Sequence, residues 1–111
     1  TNNSTMITDT INTNLGVFVN DLGAAGSGPV AFTQGTPSSA LTYTFTTLSS
    51  FADDVDFSNN GGATWVYVPT PGANGCDNNV TNIRINPKGT FASGLTGADP
   101  NFQVRFRSCV K

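Results

Sequence analysis

The 111-residue chain contains no histidine and no glutamate, and only 11% of its residues are charged. The first two absences remove side chains most used for proton transfer and leave seven aspartates (Asp9, Asp21, Asp53, Asp54, Asp56, Asp77 and Asp99) as the side-chain carboxylates. No motif sets two of them across a substrate as glycosidases require, so no catalytic residue is assigned and an enzyme is not expected. The run Asp53-Asp54-Val55-Asp56 offers oxygen ligands but lacks the spacing of a calcium loop, and a solvated strand edge is the simpler reading. Neither a metal nor a cofactor is expected. Cations are as scarce: Arg84, Lys88, Arg105, Arg107 and Lys111 all fall in the last third, and the net charge is -2. That is no polybasic footprint, and nucleic acid is excluded as a partner. No run approaches the roughly 18 apolar residues of a spanning helix, so no membrane insertion is expected. Cysteine occurs twice, at Cys76 and Cys109, too few for a zinc site. Two readings remain, a disulfide formed in an oxidising compartment or two free buried thiols; the first fits a small acidic chain outside the cell or at its surface.

What the chain does have is threonine, asparagine, serine and 12 glycines. Threonine and valine favour a pleated half-buried surface, while glycine, asparagine and proline punctuate it, which makes the chain all-β. Its length suits one domain over residues 1–111. Short strands are predicted at 4–8, 15–20, 29–33, 40–47, 54–58, 64–69, 80–86 and 102–110, separated by turn signals such as GAAGSGP, QGTPSS, NNGGA and PTPGANG. Seven or eight such strands at regular spacing predict an antiparallel β-sandwich. Alternation assigns faces: Leu41, Tyr43 and Phe45 lie on one side of their strand, and in the last strand Phe102, Val104, Phe106, Ser108 and Val110 oppose Gln103, Arg105, Arg107, Cys109 and Lys111. With Phe57, Ile83 and Ile85, the residues Leu41, Tyr43, Phe45, Phe102, Val104 and Phe106 form the predicted core.

The stretch DFSNNGGATWVYVPTP carries the single tryptophan. Its glycines suggest an anion cradle, but no lysine follows and a strand succeeds them where a phosphate loop needs a helix; a hairpin turn with positive φ is the better account. Beyond it Trp65 and Tyr67 alternate with Val66 and Val68. Trp65 either fills the core or, with Tyr67, presents an aromatic platform to a sugar or a protein. Asn2, Asn3 and Asn79 stand in Asn-x-Ser/Thr triplets, glycan acceptors only in a compartment that uses them.

Taken together, ITDTI (7–11), GSGPVAF (26–32), LTYTF (41–45), DDVDFSNNGGATWVYVPTP (53–71), NVTNIRINPKGTF (79–91) and FQVRFRSCVK (102–111) resemble the Ig-like conserved repeat domains of bacterial surface and secreted proteins, a family of domains of unknown function. The resemblance covers most of the chain and implies an Ig-like sandwich with a structural or adhesive role. The chain departs from the family's pattern at Asn12, where a proline is usual, and at both cysteines. It also lacks the family's usual first strand, which implies an exposed groove and an unpaired edge. Either a longer polypeptide closes that groove, or a strand donated by another chain does, as in pilus assembly. The second alternative makes the protein a filament subunit whose main partner is a copy of itself. An adhesin module binding a glycan or a host or cell-surface protein is the competing expectation. Candidate interface residues are Met6, Ile7 and Ile11, in a segment 1–14 expected to donate or accept a strand, together with Trp65 and Tyr67.

Overall fold

The computed structural model describes residues 2–94 and 97–111. Among them there is no helix; the β-favouring composition is expressed as eight short strands: β1 (Ile7–Thr10), β2 (Leu15–Phe18), β3 (Ala31–Gln34), β4 (Val55–Ser58), β5 (Cys76–Asp77), β6 (Asn82–Ile85), β7 (Phe102–Arg105) and β8 (Ser108–Val110). They form three sheets in the orders β1-β6-β4, β5-β2-β8 and β3-β7, and every strand pair is antiparallel. This arrangement is consistent with a β-sandwich. One layer contributes Val55, Phe57, Ile83 and Ile85, and they cluster with Val17, Val19 and Val30; all seven are at most 3% exposed. Period-two alternation explains the membership: Ile7 faces Ile85 across β1 and β6, and Phe57 faces Ile83 across β4 and β6.

Two predicted strands are extended segments without a ladder. In 40–47 the alternation holds, with Leu41 buried and Thr42, Thr44 and Thr46 exposed, but pairing is confined to one bridge between Thr42 and Lys88. The reason is side-chain competition for the backbone: Asp54 Oδ2 accepts the Thr44 N–H at 2.8 Å and Asp53 Oδ2 that of Thr46 at 3.0 Å, where a neighbouring strand would otherwise bond. In 64–69 a single bridge joins Tyr67 to Phe57. The last strand expected over 102–110 is two, β7 pairing with β3 and β8 with β2. Strand β5 was not anticipated.

The predicted core is right at its centre and too generous at one side. Leu41, Phe57, Ile83 and Ile85 are buried, but Phe102, Val104 and Phe106 are half-buried, and Tyr43 and Phe45 pack on the cluster from its margin. Stacked rings extend that margin: Phe32 lies 5.8 Å from Tyr43 and 5.2 Å from Phe102. The inner row of the last strand continues past its cover to Val110, which is 80% exposed.

Candidate functional site

Hydrogen-bond parity shows what the last strand leaves open. The Gly35 N–H donates to Asn101 O (2.7 Å), the Phe18 N–H to Arg107 O (2.8 Å), and the Lys111 N–H to Asn14 O (3.0 Å). Odd-numbered residues from 101 to 111 therefore turn their backbone groups toward β3 and then β2, which lie end to end along the same edge. The N–H and C=O groups of Phe102, Val104, Phe106, Ser108 and Val110 point the other way, and among the described residues no strand pairs with them. Strand β1 repeats the situation. The Ile11 N–H donates to Thr81 O at 2.8 Å and the register runs Ile7 to Ile85, so Thr8 and Thr10 direct their backbone groups away from β6.

Between these two free edges lies a groove of about 260 Å³. Ile83 and Ile85 line it together with Ile7, Thr8 and Asp9 of β1 and Val104 and Phe106 of the last strand. The sandwich is thus open along one seam, and this is why Val104 and Phe106 stay half-buried. A larger cleft of about 370 Å³ lies between Gly26, Ser27, Phe32, Tyr43 and Phe45, but strand β3 gives it just Ala31 and Phe32. The unpaired backbone and the apolar lining coincide at the seam.

The sequence-predicted interface residues are dispersed. Ile7 lines the seam, and Met6 beside it is 53% exposed. Ile11 is 7% exposed and belongs to the core cluster. Trp65 is half-buried with the Arg84 guanidinium 4.7 Å from its ring centroid. Tyr67 is half-buried too, its hydroxyl donating to Asp77 Oδ2 at 2.7 Å, while Val66 and Val68 take the exposed positions. Residues 2–11 are no loose arm: Asn3 exchanges bonds with Gly89, its N–H donating to Gly89 O and its Oδ1 accepting the Gly89 N–H, and β1 is paired to β6. In this fold that segment can accept a strand but is not free to donate one. Cys76 and Cys109 are joined, with their Cα atoms 6.3 Å apart, on the face of sheet β5-β2-β8 that carries Phe18 and Arg107.

The glycine hinge is a self-satisfied turn. Gly61 and Gly62 have φ of 77° and 87°, which favours glycine. Their N–H groups donate to Thr81 Oγ1 and Ser58 Oγ, at 2.9 Å each, and Asn60 Oδ1 accepts the Thr64 N–H, leaving no cradle for an anion.

The aspartate cluster needs a larger correction. Asp53 and Asp54 are 7% and 4% exposed, not a solvated edge. Asp54 Oδ1 receives Lys88 Nζ at 2.7 Å, and Asp56 Oδ2 receives Arg84 Nη2 at 2.8 Å. Two of the five cations are thus committed to this aspartate cluster. Burial holds the Asp53 carboxyl above its ordinary range, with the Thr46 N–H opposing that rise, and one of its oxygens has no partner. Tyr43 is likewise raised, chiefly by burial and then by the charges of Asp53 and Asp54. Because its folded value is raised, ionised Asp53 opposes folding; that burden is present above the ordinary carboxylate range and vanishes as pH falls below it. Asp53→Asn, which keeps an oxygen for Thr46, is therefore expected to gain stability relative to the parent as pH rises from 3 to 7. Chemical denaturation at a series of pH values measures this, and a constant difference removes the assignment.

Compared with protein-family models, curated proteins and solved structures, the chain gives no match.

Proposed function

We propose that the protein is a structural subunit of an extracellular filament or surface assembly, pilus-like and bacterial in the sense of the Ig-like resemblance, held together by β-strand addition between neighbouring subunits. The observation that carries this reading is the seam, where two unpaired strand edges flank an apolar groove. An inserted strand would bond to both edges and cover the half-buried Ile7, Val104 and Phe106 in one step. Left empty, long free edges invite unspecific pairing, a hazard that folded chains ordinarily blunt with charge, proline or a covering segment. The disulfide is compatible with an extracellular location, and no helix among the described residues is long and apolar enough to cross a membrane.

Backbone parity supplies a selective test. Ser108 is exposed, and its N–H points away from β2. Proline is tolerated on an edge strand where the lost N–H faces outward. Ser108→Pro is expected to block strand addition while costing the monomer less than about 1 kcal/mol, far below the ~3 kcal/mol of a proline in a bonded interior. Electron microscopy of the native protein should show filaments or a lattice, and of the variant, single particles. A native protein that stays monomeric at high concentration, indistinguishable from the variant, overturns the proposal.

A further inference from the structure

The two faces of the open edge are chemically unlike, and the difference specifies what is added. Toward the sandwich interior the last strand presents Phe102, Val104 and Phe106; on its outer face it presents Arg105 and Arg107, with Lys111 beyond them. These three are the cations that no carboxylate pairs among the described residues, since Arg84 and Lys88 are already bonded to Asp56 and Asp54. Arg107 is held in place by stacking over the Phe18 ring, 5.0 Å from its centroid. Arg105 and Arg107 keep the same parity across the break between β7 and β8, Arg105 opposite Ala31 and Arg107 O accepting the Phe18 N–H, so both side chains stand on the outer face. Cross-strand neighbours on one face sit about 5 Å apart, near enough for opposite charges to attract and like charges to repel.

The geometry points to an acidic occupant: the seam takes an extended peptide in which apolar residues alternate with Asp or Glu, the apolar row entering the groove and the acidic row lying over Arg105 and Arg107. This deepens the strand-addition reading and rests on it. Asp9, on the opposite flank of the groove, belongs to the inward row with Ile7, so it faces the donor's apolar side and does not oppose the acidic row. Within the described residues one stretch has such an alternation, Asp54-Val55-Asp56-Phe57, and it is locked into β4 with Val55 and Phe57 each 2% exposed. In a folded copy that stretch is therefore engaged in β4.

Three synthetic nine-residue peptides with the same alternating Val and Leu positions, and Glu, Gln or Lys between them, test the inference on the intact chain. Binding is read by fluorescence anisotropy, and its location by hydrogen exchange of the Val104, Phe106 and Ser108 amides. The Glu peptide is expected to protect those amides and to bind roughly ten-fold more tightly than the Lys peptide, with the gap narrowing in high salt. Arg105→Glu/Arg107→Glu should reverse the order. Arg105→Gln, a milder change at an exposed position, should narrow it without disturbing the fold. Equal protection by all three peptides would overturn the acidic specificity while leaving strand addition standing. Concentration-dependent protection of the same amides without peptide is strand addition from another copy, and if the Glu peptide displaces it no better than the Lys peptide, the acidic specificity is overturned. No protection by any peptide at any concentration would remove both readings.

Discussion

Phe57→Ala is expected to cost about 3–5 kcal/mol, the loss typical of a large ring removed from a closed core, and so to unfold much of the population of a domain this small. Phe57 is 2% exposed, sits opposite Ile83, and is bridged from its other side by Tyr67, so no neighbour can collapse into the space without moving a strand. The same change at Phe106 is expected to cost less, about 1–3 kcal/mol, because that ring lines the open seam and surrenders less buried surface. Urea denaturation of both variants measures the difference. Equal losses would mean that the seam is closed in solution, and the site would lose its physical basis.

The second large effect is expected from the disulfide. Cys76 and Cys109 are 33 residues apart, and closing a loop of that size removes enough freedom from the unfolded chain to contribute roughly 3–4 kcal/mol in the chain-entropy account. The double change Cys76→Ser/Cys109→Ser should therefore lower stability by that amount, and a reducing agent should have a similar effect on the parent. The bridge also ties the short β5 to β8 across β2, so hydrogen exchange in β8 should quicken in the variant. If the unreduced, denatured parent presents two thiols to a labelling reagent, the cysteines are not bridged and the expectation fails.

Strand signals in this chain were legible where a ladder and an alternating pattern coincide. LGVF, VDFS and NIRI lie within two residues of the bounds their alternation predicts, because β-branched and aromatic residues at period two fit a half-buried surface. ALTYTFTT and TWVYVP carry the same pattern without becoming strands. Alternation reports that a segment is extended with one face covered; whether its backbone bonds go to a strand or to the carboxylates of Asp53 and Asp54 depends on what lies beside it. The site divides in the same way. Ile7 was a candidate from its place in the amino-terminal segment expected to donate or accept a strand, while Ile11 and Met6, equally apolar in the sequence, ended in the core and on the surface.

The sequence alone determined the all-β class and the faces of the last strand, since composition and period are local properties, whereas the structure chose the bridge over two free thiols. Only the tertiary structure decided that Asp53 and Asp54 are interior groups, because burial depends on the segments 40–47 and Lys88 that fold over them. It alone decided, too, which edge of residues 102–110 is bonded. That edge is fixed by the register of β2 and β3, which leaves the even-numbered backbone groups free beside the groove where Arg105 and Arg107 mark the outer face.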